Sequence, residues 1–235
     1  MKRHISYWML LCRSTVFKML ALFAAMTAVE AGLFFLRGRN AIGLEQMVDA
    51  AWLRWVFGVA LIVMTVLLGS VLCESGGKLD YTLRRLRLRR RSLFLWQAVF
   101  NFLCLLLLWF VQLFVALVLC RLWMAGQEGV SNQALFLAFY RSDFLHSLLP
   151  LEDVSRWVRN VVCFAFVGVA SACVPVCHRR GKYNIGGVLQ AGWMMTNFSK
   201  ETGAVGPDVI LMTVCGVMTF ISLVMAWGDD YAEED

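Results

Sequence analysis

"TLRRLRLRRRSLFLWQAVFNFLCLLLLWFVQLFVALVLC", residues 82–120, decides the fold. Six arginines stand within it over 84–91: Arg84, Arg85, Arg87, Arg89, Arg90 and Arg91. The stretch that follows, 93–120, carries no formal charge. Crossing a hydrocarbon core about 30 Å thick takes about 20 mostly apolar residues. The stretch therefore reads as a membrane-spanning helix with a block of positive charge against one end.

Outward from it, the chain repeats the pattern. Of 235 residues, 60% are hydrophobic, against roughly 45–50% in soluble domains. Apolar windows fall at 16–36, 52–73, 93–120, 158–177 and 208–227. A sixth, 184–198, is short and glycine-rich. These windows predict an all-α, polytopic membrane bundle with a single transmembrane domain over 1–235. Six spans are expected, or five if 184–198 is re-entrant or interfacial. The first apolar run is read as a retained helix near Val16, because it carries Glu30 and lacks a small-residue cleavage site.

Lys and Arg density sets the orientation, since basic residues of short loops stay cytoplasmic. It runs high at Lys2, Arg3, Arg13 and Lys18, and low at Arg37 and Arg39. It is high again at Lys78 and the six arginines, sparse over 121–157, and high at Arg179, Arg180 and Lys182. A multi-pass plasma-membrane protein with a cytoplasmic N-terminus follows as the expectation. With six spans the acidic 229–235, DDYAEED, is cytoplasmic too; with five it lies outside. The outer segment 131–149, with Ser131 before it as a cap, Pro150 after it and Leu135, Phe139, Leu145 and Leu149 along it, is expected to be an amphipathic helix on the outer leaflet.

Polar residues inside the spans ask for partners, because lipid offers none. Gln97, Asn101 and Gln112 share one face of the third span. That face is expected to point into the bundle or at a second membrane subunit, through interhelical hydrogen bonds, a substrate path or a homodimer seam. Glu30 is expected to be bundle-facing as well, with Arg37 or Arg54 as its ion-pair partner. Asp143 and His146, three apart, read as a solvated helix face or a shared metal ligand pair. The eight cysteines fall mostly in or beside apolar runs and read as packing residues. Cys173 and Cys177 with His178 lack a second ligand pair. No metal, cofactor or nucleic-acid partner is expected.

Enzyme chemistry finds little footing. Gly69-Ser70 lacks the flanks of a serine nucleophile, and His4, His146 and His178 sit outside the clearest spans. Gly76-Gly77-Lys78 is followed by Leu79, so there is no P-loop. Any ATPase must be a separate chain.

The arginine block has two readings. As a topology anchor it meets anionic lipid, at about 1 kcal/mol per residue near the surface. As a helix, it would carry an apolar edge of Leu79, Leu83 and Leu86 through a basic surface. Such an edge suits docking into a partner's groove.

"YTLRRLRLRRRSLFLWQAVFN", residues 81–101, resembles the cytoplasmic loop between spans two and three of ABC-2-type transporter permeases. The basic N-terminus and the six expected spans are similar too. "FLAFYRSDFLHSLLPLED", residues 136–153, resembles small bacterial membrane proteins of that kind. The resemblance implies a permease-like subunit working with a separate P-loop ATPase. It assigns the ATPase contact to Leu83, Arg84, Arg85, Leu86, Arg87, Arg89, Arg90 and Arg91. The chain departs from the family in ending the loop Arg89-Arg90-Arg91-Ser92 and in placing its outer segment between spans three and four. The alternative class is a non-transporting membrane protein: an assembly, sensor or immunity-type component.

Overall fold

The computed structural model describes residues 2–37, 43–71, 73, 90–126, 133–151, 153–197 and 205–228. All regular structure among these residues is helical: α1 Lys2–Arg37, α2 Leu44–Ala50, α3 Leu53–Ser70, α4 Arg90–Ala125, α5 Gln133–Arg141, α6 Asp143–Leu148, α7 Val154–Arg179, α8 Gly186–Asn197 and α9 Val205–Trp227. Five of the described helices, α1, α3, α4, α7 and α9, are long and apolar enough to cross a membrane. The protein is an all-α polytopic helical bundle.

Helix α1 starts at Lys2 rather than at the first apolar run near Val16. The reason lies in its spacing. Tyr7, Leu11, Thr15, Met19, Met26, Glu30 and Phe34 are all buried, so one stripe at helical period runs from the mixed N-terminal stretch through the apolar one. Trp8 adds edge-on contacts to Trp96 and Phe100 of α4, with ring centroids 5.9 and 5.7 Å apart. Helix α4 is likewise longer than its apolar window. Its 36 residues extend about 54 Å at 1.5 Å per residue. The last two arginines of the block, Arg90 and Arg91, thus form its first turn.

Helix α7 is the hub, packing against α3, α4, α8 and α9. Gly168 lets α4 come close: a Cβ there would stand 2.9 Å from the backbone nitrogen of Phe102. Trp109 of α4 fills the seam further along, with ring centroids 5.3 Å from Trp157 and 5.6 Å from Phe164.

Helix α8 is the element the sequence left ambiguous. Its 12 residues cover about 18 Å, short of the hydrocarbon core. Yet it runs in the direction of a crossing. Gly187 lies against Thr65 and Gly58 against Met195, so α8 is antiparallel to α3. Gln190 donates to the Cys215 carbonyl and Thr219, while Gly186 lies against Ser222, so it is antiparallel to α9 as well. Asn184 starts it by accepting the Gly186 N–H at 2.8 Å. In consequence Trp227, at the end of α9, returns to the end of the bundle that holds Tyr7 and Arg90.

Where one helix was expected over 131–149, the described residues form two, α5 and α6. Ser142 is extended (φ −76°, ψ 121°) and divides α5 from α6. The break turns α6 inward, where Phe144, Leu145 and Leu148 are buried. Its terminal carbonyls, which a helix cannot satisfy itself, are taken by side chains of the long helices. Trp109 Nε1 donates to Leu148 at 3.1 Å and Asn160 Nδ2 to Ser147 at 2.9 Å. Trp157 Nε1 donates to the Pro150 carbonyl at 2.6 Å.

Candidate functional site

The last turn of α7 and the first turn of α4 meet at one end of the bundle. Arg90, Arg179 and Arg180 there line a cavity of about 200 Å³. Leu93, Phe94, Pro175, Val176 and Trp227 supply apolar walls. Phe94 and Trp227 meet edge-on, with centroids 5.9 Å apart. Tyr7 and Gln97 form the polar floor, the Tyr7 hydroxyl donating to Gln97 Oε1 at 2.9 Å. Arg90, Arg91, Arg179 and Lys182 are exposed. Of the residues assigned to an ATPase contact, only Arg90 and Arg91 are described; Leu83, Arg84, Arg85, Leu86, Arg87 and Arg89 lie outside the described residues.

Below the cavity runs a ladder of buried polar groups. Gln97, Asn101 and Gln112 are all buried on α4, each against another helix. Gln97 meets α1 through Tyr7. Asn101 Nδ2 donates to Ser171 Oγ of α7 at 2.8 Å, and Ser171 donates in turn to the Gly168 carbonyl at 2.9 Å. Gln112 faces Glu30 of α1, and neither side chain makes a hydrogen bond within 3.5 Å. Glu30 does not take either arginine that its sequence position suggested. Arg37 lies over the Trp52 ring at 4.5 Å and Arg54 over Trp55 at 5.3 Å. Both rings offer these cations a π-face at the end of the helix, which spares the guanidinium the cost of burial.

The opposite end holds a network that the sequence reading missed. Arg159 donates to Asp208 Oδ1 at 2.8 Å, and Asn160 Oδ1 accepts from Arg159 Nε and Nη2 at 3.2 and 3.1 Å. Ser155 donates to Asp208 Oδ2 at 3.1 Å. Arg156 pairs with Asp153 at 3.1 Å. The available signal was Arg156 and Arg159, three apart at the start of one span, and a lone aspartate in the first turn of another. Gln190 was missed too, because its window read as a weak, glycine-rich one. Asp143 and His146 go separate ways. Asp143 lines a cavity with Trp52, Arg54 and Trp55, while His146 lies 3.9 Å from Asp153. Among the described residues no three His, Cys, Asp or Glu side chains gather as metal ligands.

The chain matches no family model, no curated protein and no solved structure.

Proposed function

We propose that this chain is the membrane-spanning, permease-like subunit of an ABC transporter, working with a separate cytoplasmic P-loop ATPase. The observation that carries the proposal is the shared basic end of α4 and α7. Arg90 and Arg91 begin α4 directly after the run Leu83–Arg89 in the sequence, and Arg179 and Arg180 line one cavity with Arg90. A basic surface with an apolar leucine edge suits an acidic groove on a partner. In this reading that end is cytoplasmic, with the N-terminus, in the plasma membrane. Force applied at the docked segment enters α4 directly. It passes to α7 at the Gly168 approach and the Asn101–Ser171 bond, and to α1 at Tyr7–Gln97. A second copy or a second membrane subunit completes the assembly.

The test is recovery of the partner. The tagged chain, extracted from its own membranes in mild detergent, should bring with it a polypeptide bearing a P-loop and ATPase activity. Leu83→Asp with Leu86→Asp should release that polypeptide while the chain still inserts, because its positive charges remain. Replacing all six arginines by lysine should weaken recovery, since lysine lacks the paired geometry of the guanidinium. Undiminished recovery with both leucines replaced sinks the docking role. Absence of any ATPase from the wild-type preparation leaves the non-transporting class.

A further inference from the structure

Among the described residues two acids are buried, Glu30 on α1 and Asp208 on α9. Asp208 has a counter-charge in Arg159 and a hydroxyl donor in Ser155. Glu30 has neither. It is 0% exposed, and both its carboxyl oxygens are buried without a hydrogen bond. Gln112 of α4 faces it, is also 0% exposed, and has its amide oxygen and nitrogen equally unbonded. We propose that Glu30 and Gln112 form a proton-binding site between α1 and α4, Glu30 carrying the proton and Gln112 positioning it.

An ionised carboxylate stays in a protein interior only with a counter-charge and further hydrogen bonds. Helix α1 packs against α2, α3 and α4. Arg37 of α1 and Arg54 of α3 lie over tryptophan rings instead of pairing with Glu30. Residues 92–120 of α4 bring no formal charge. One amide does not balance a full negative charge, but it matches a neutral acid atom for atom. The acid's O–H donates to Gln112 Oε1, and Gln112 Nε2 donates to the acid's carbonyl oxygen. Rotation of the two facing side chains closes this pair. A single added proton thus satisfies all four buried atoms that are otherwise unbonded. Release is the reverse step: the proton passes to water and leaves a carboxylate that the closed interior does not compensate. Release therefore requires α1 and α4 to part and admit water. Ionisable groups within membrane-crossing helices mark proton and ion paths, and α1 and α4 are both long and apolar enough to cross. The site needs no ATPase, so its test stands apart from the docking proposal.

The experiment is infrared difference spectroscopy of the purified full-length chain at neutral pH, wild type against Glu30→Gln, in a detergent without ester or carboxyl groups. The difference should contain the C=O stretch of a protonated carboxyl. Gln112→Leu should move that band to higher frequency, because the amide no longer donates to the acid's carbonyl. Asp143→Asn, at an exposed carboxyl, should leave the band unchanged. After transfer to D2O the band should shift as the proton exchanges. Dicyclohexylcarbodiimide, which adds to protonated carboxyls in apolar surroundings, should label Glu30 of the wild type, as mapped by peptide mass spectrometry. That labelling carries the test if Glu30→Gln fails to fold. Carboxylate bands in place of the C=O stretch, or a Glu30 that the carbodiimide leaves unmodified, overturn the proposal. A C=O band that never shifts in D2O marks a locked structural hydroxyl and overturns proton binding. A band unmoved in Gln112→Leu overturns the positioning role of Gln112.

Discussion

At the end of the bundle that carries α5 and α6, Arg159 is 3% exposed and is held by Asp208, itself 2% exposed, and by Asn160. At the other end Arg90 and Arg179 are exposed around a cavity. The same side chain serves two purposes. Buried arginine at one end is neutralised by a specific acid and ties α7 to α9. Exposed arginine at the other keeps its charge at the surface. Burial, not residue type, separates the cation that ties helices together from those left at the surface. The Arg159 cluster also explains why α6 turns inward, since Asn160 serves both Arg159 and the Ser147 carbonyl.

The contrast can be broken first at the closed end. Asp208→Ala leaves Arg159 buried without its counter-charge and should destabilise the protein by about 3–5 kcal/mol. The thermal midpoint in detergent, read with the yield of monodisperse protein, measures it. Arg159→Met with Asp208→Leu should recover much of the loss, because removing both charges avoids the stranded one. If Asp208→Ala alone were as stable as wild type, the cluster would not be structural.

A smaller effect is expected at the α4–α7 seam. Gly168→Val puts atoms where Phe102 backbone stands 2.9 Å from an ideal Cβ. Overpacking of that kind typically costs about 1–3 kcal/mol, read from the same thermal midpoint. Asn101→Leu should cost less. It removes the bond to Ser171, and interhelical hydrogen bonds in membranes average about 0.6 kcal/mol. Adding Ser171→Ala to Asn101→Leu should cost little more, since one bond joins them; fully additive losses would contradict the pairing.

The smallest stability change belongs to the open end. Arg90→Gln with Arg179→Gln should stay within about 0.5 kcal/mol of wild type, as exposed substitutions usually do. A loss comparable to that of Asp208→Ala would erase the distinction between the two ends.

Much of this was legible in the sequence, and what was not has physical reasons. The windows at 52–73, 93–120, 158–177 and 208–227 match α3, α4, α7 and α9 in place, because hydropathy over about 20 residues is a local property. The stripe of Gln97, Asn101 and Gln112 was readable from the helical period alone. Their partners were not. Tyr7 lies 90 residues from Gln97 and Ser171 lies 70 from Asn101, and no local pattern joins them. Tyr7 was hidden further by the mixed composition of residues 2–15, whose helix is set by packing rather than by hydropathy. Arg159 and Asp208 lie 49 apart, and each looked like a span-end charge until both were placed. The break at Ser142 has neither glycine nor proline to mark it. It follows from the carbonyl partners that Trp109 and Asn160 offer to α6.

An ATPase docked on the arginine face requires that end to be cytoplasmic and the α5–α6 end to lie across the membrane from it. Leu151, exposed at the α6 end, and Tyr183, exposed beside Arg180, report on the two ends. In a chain cleared of its eight native cysteines, Leu151→Cys and Tyr183→Cys should be labelled in turn with a membrane-impermeant maleimide. The expected result is that position 151 reacts in intact cells and position 183 only after the membrane is permeabilised. Reaction of position 183 in intact cells would contradict the cytoplasmic assignment and, with it, the docking of an ATPase on the arginine face.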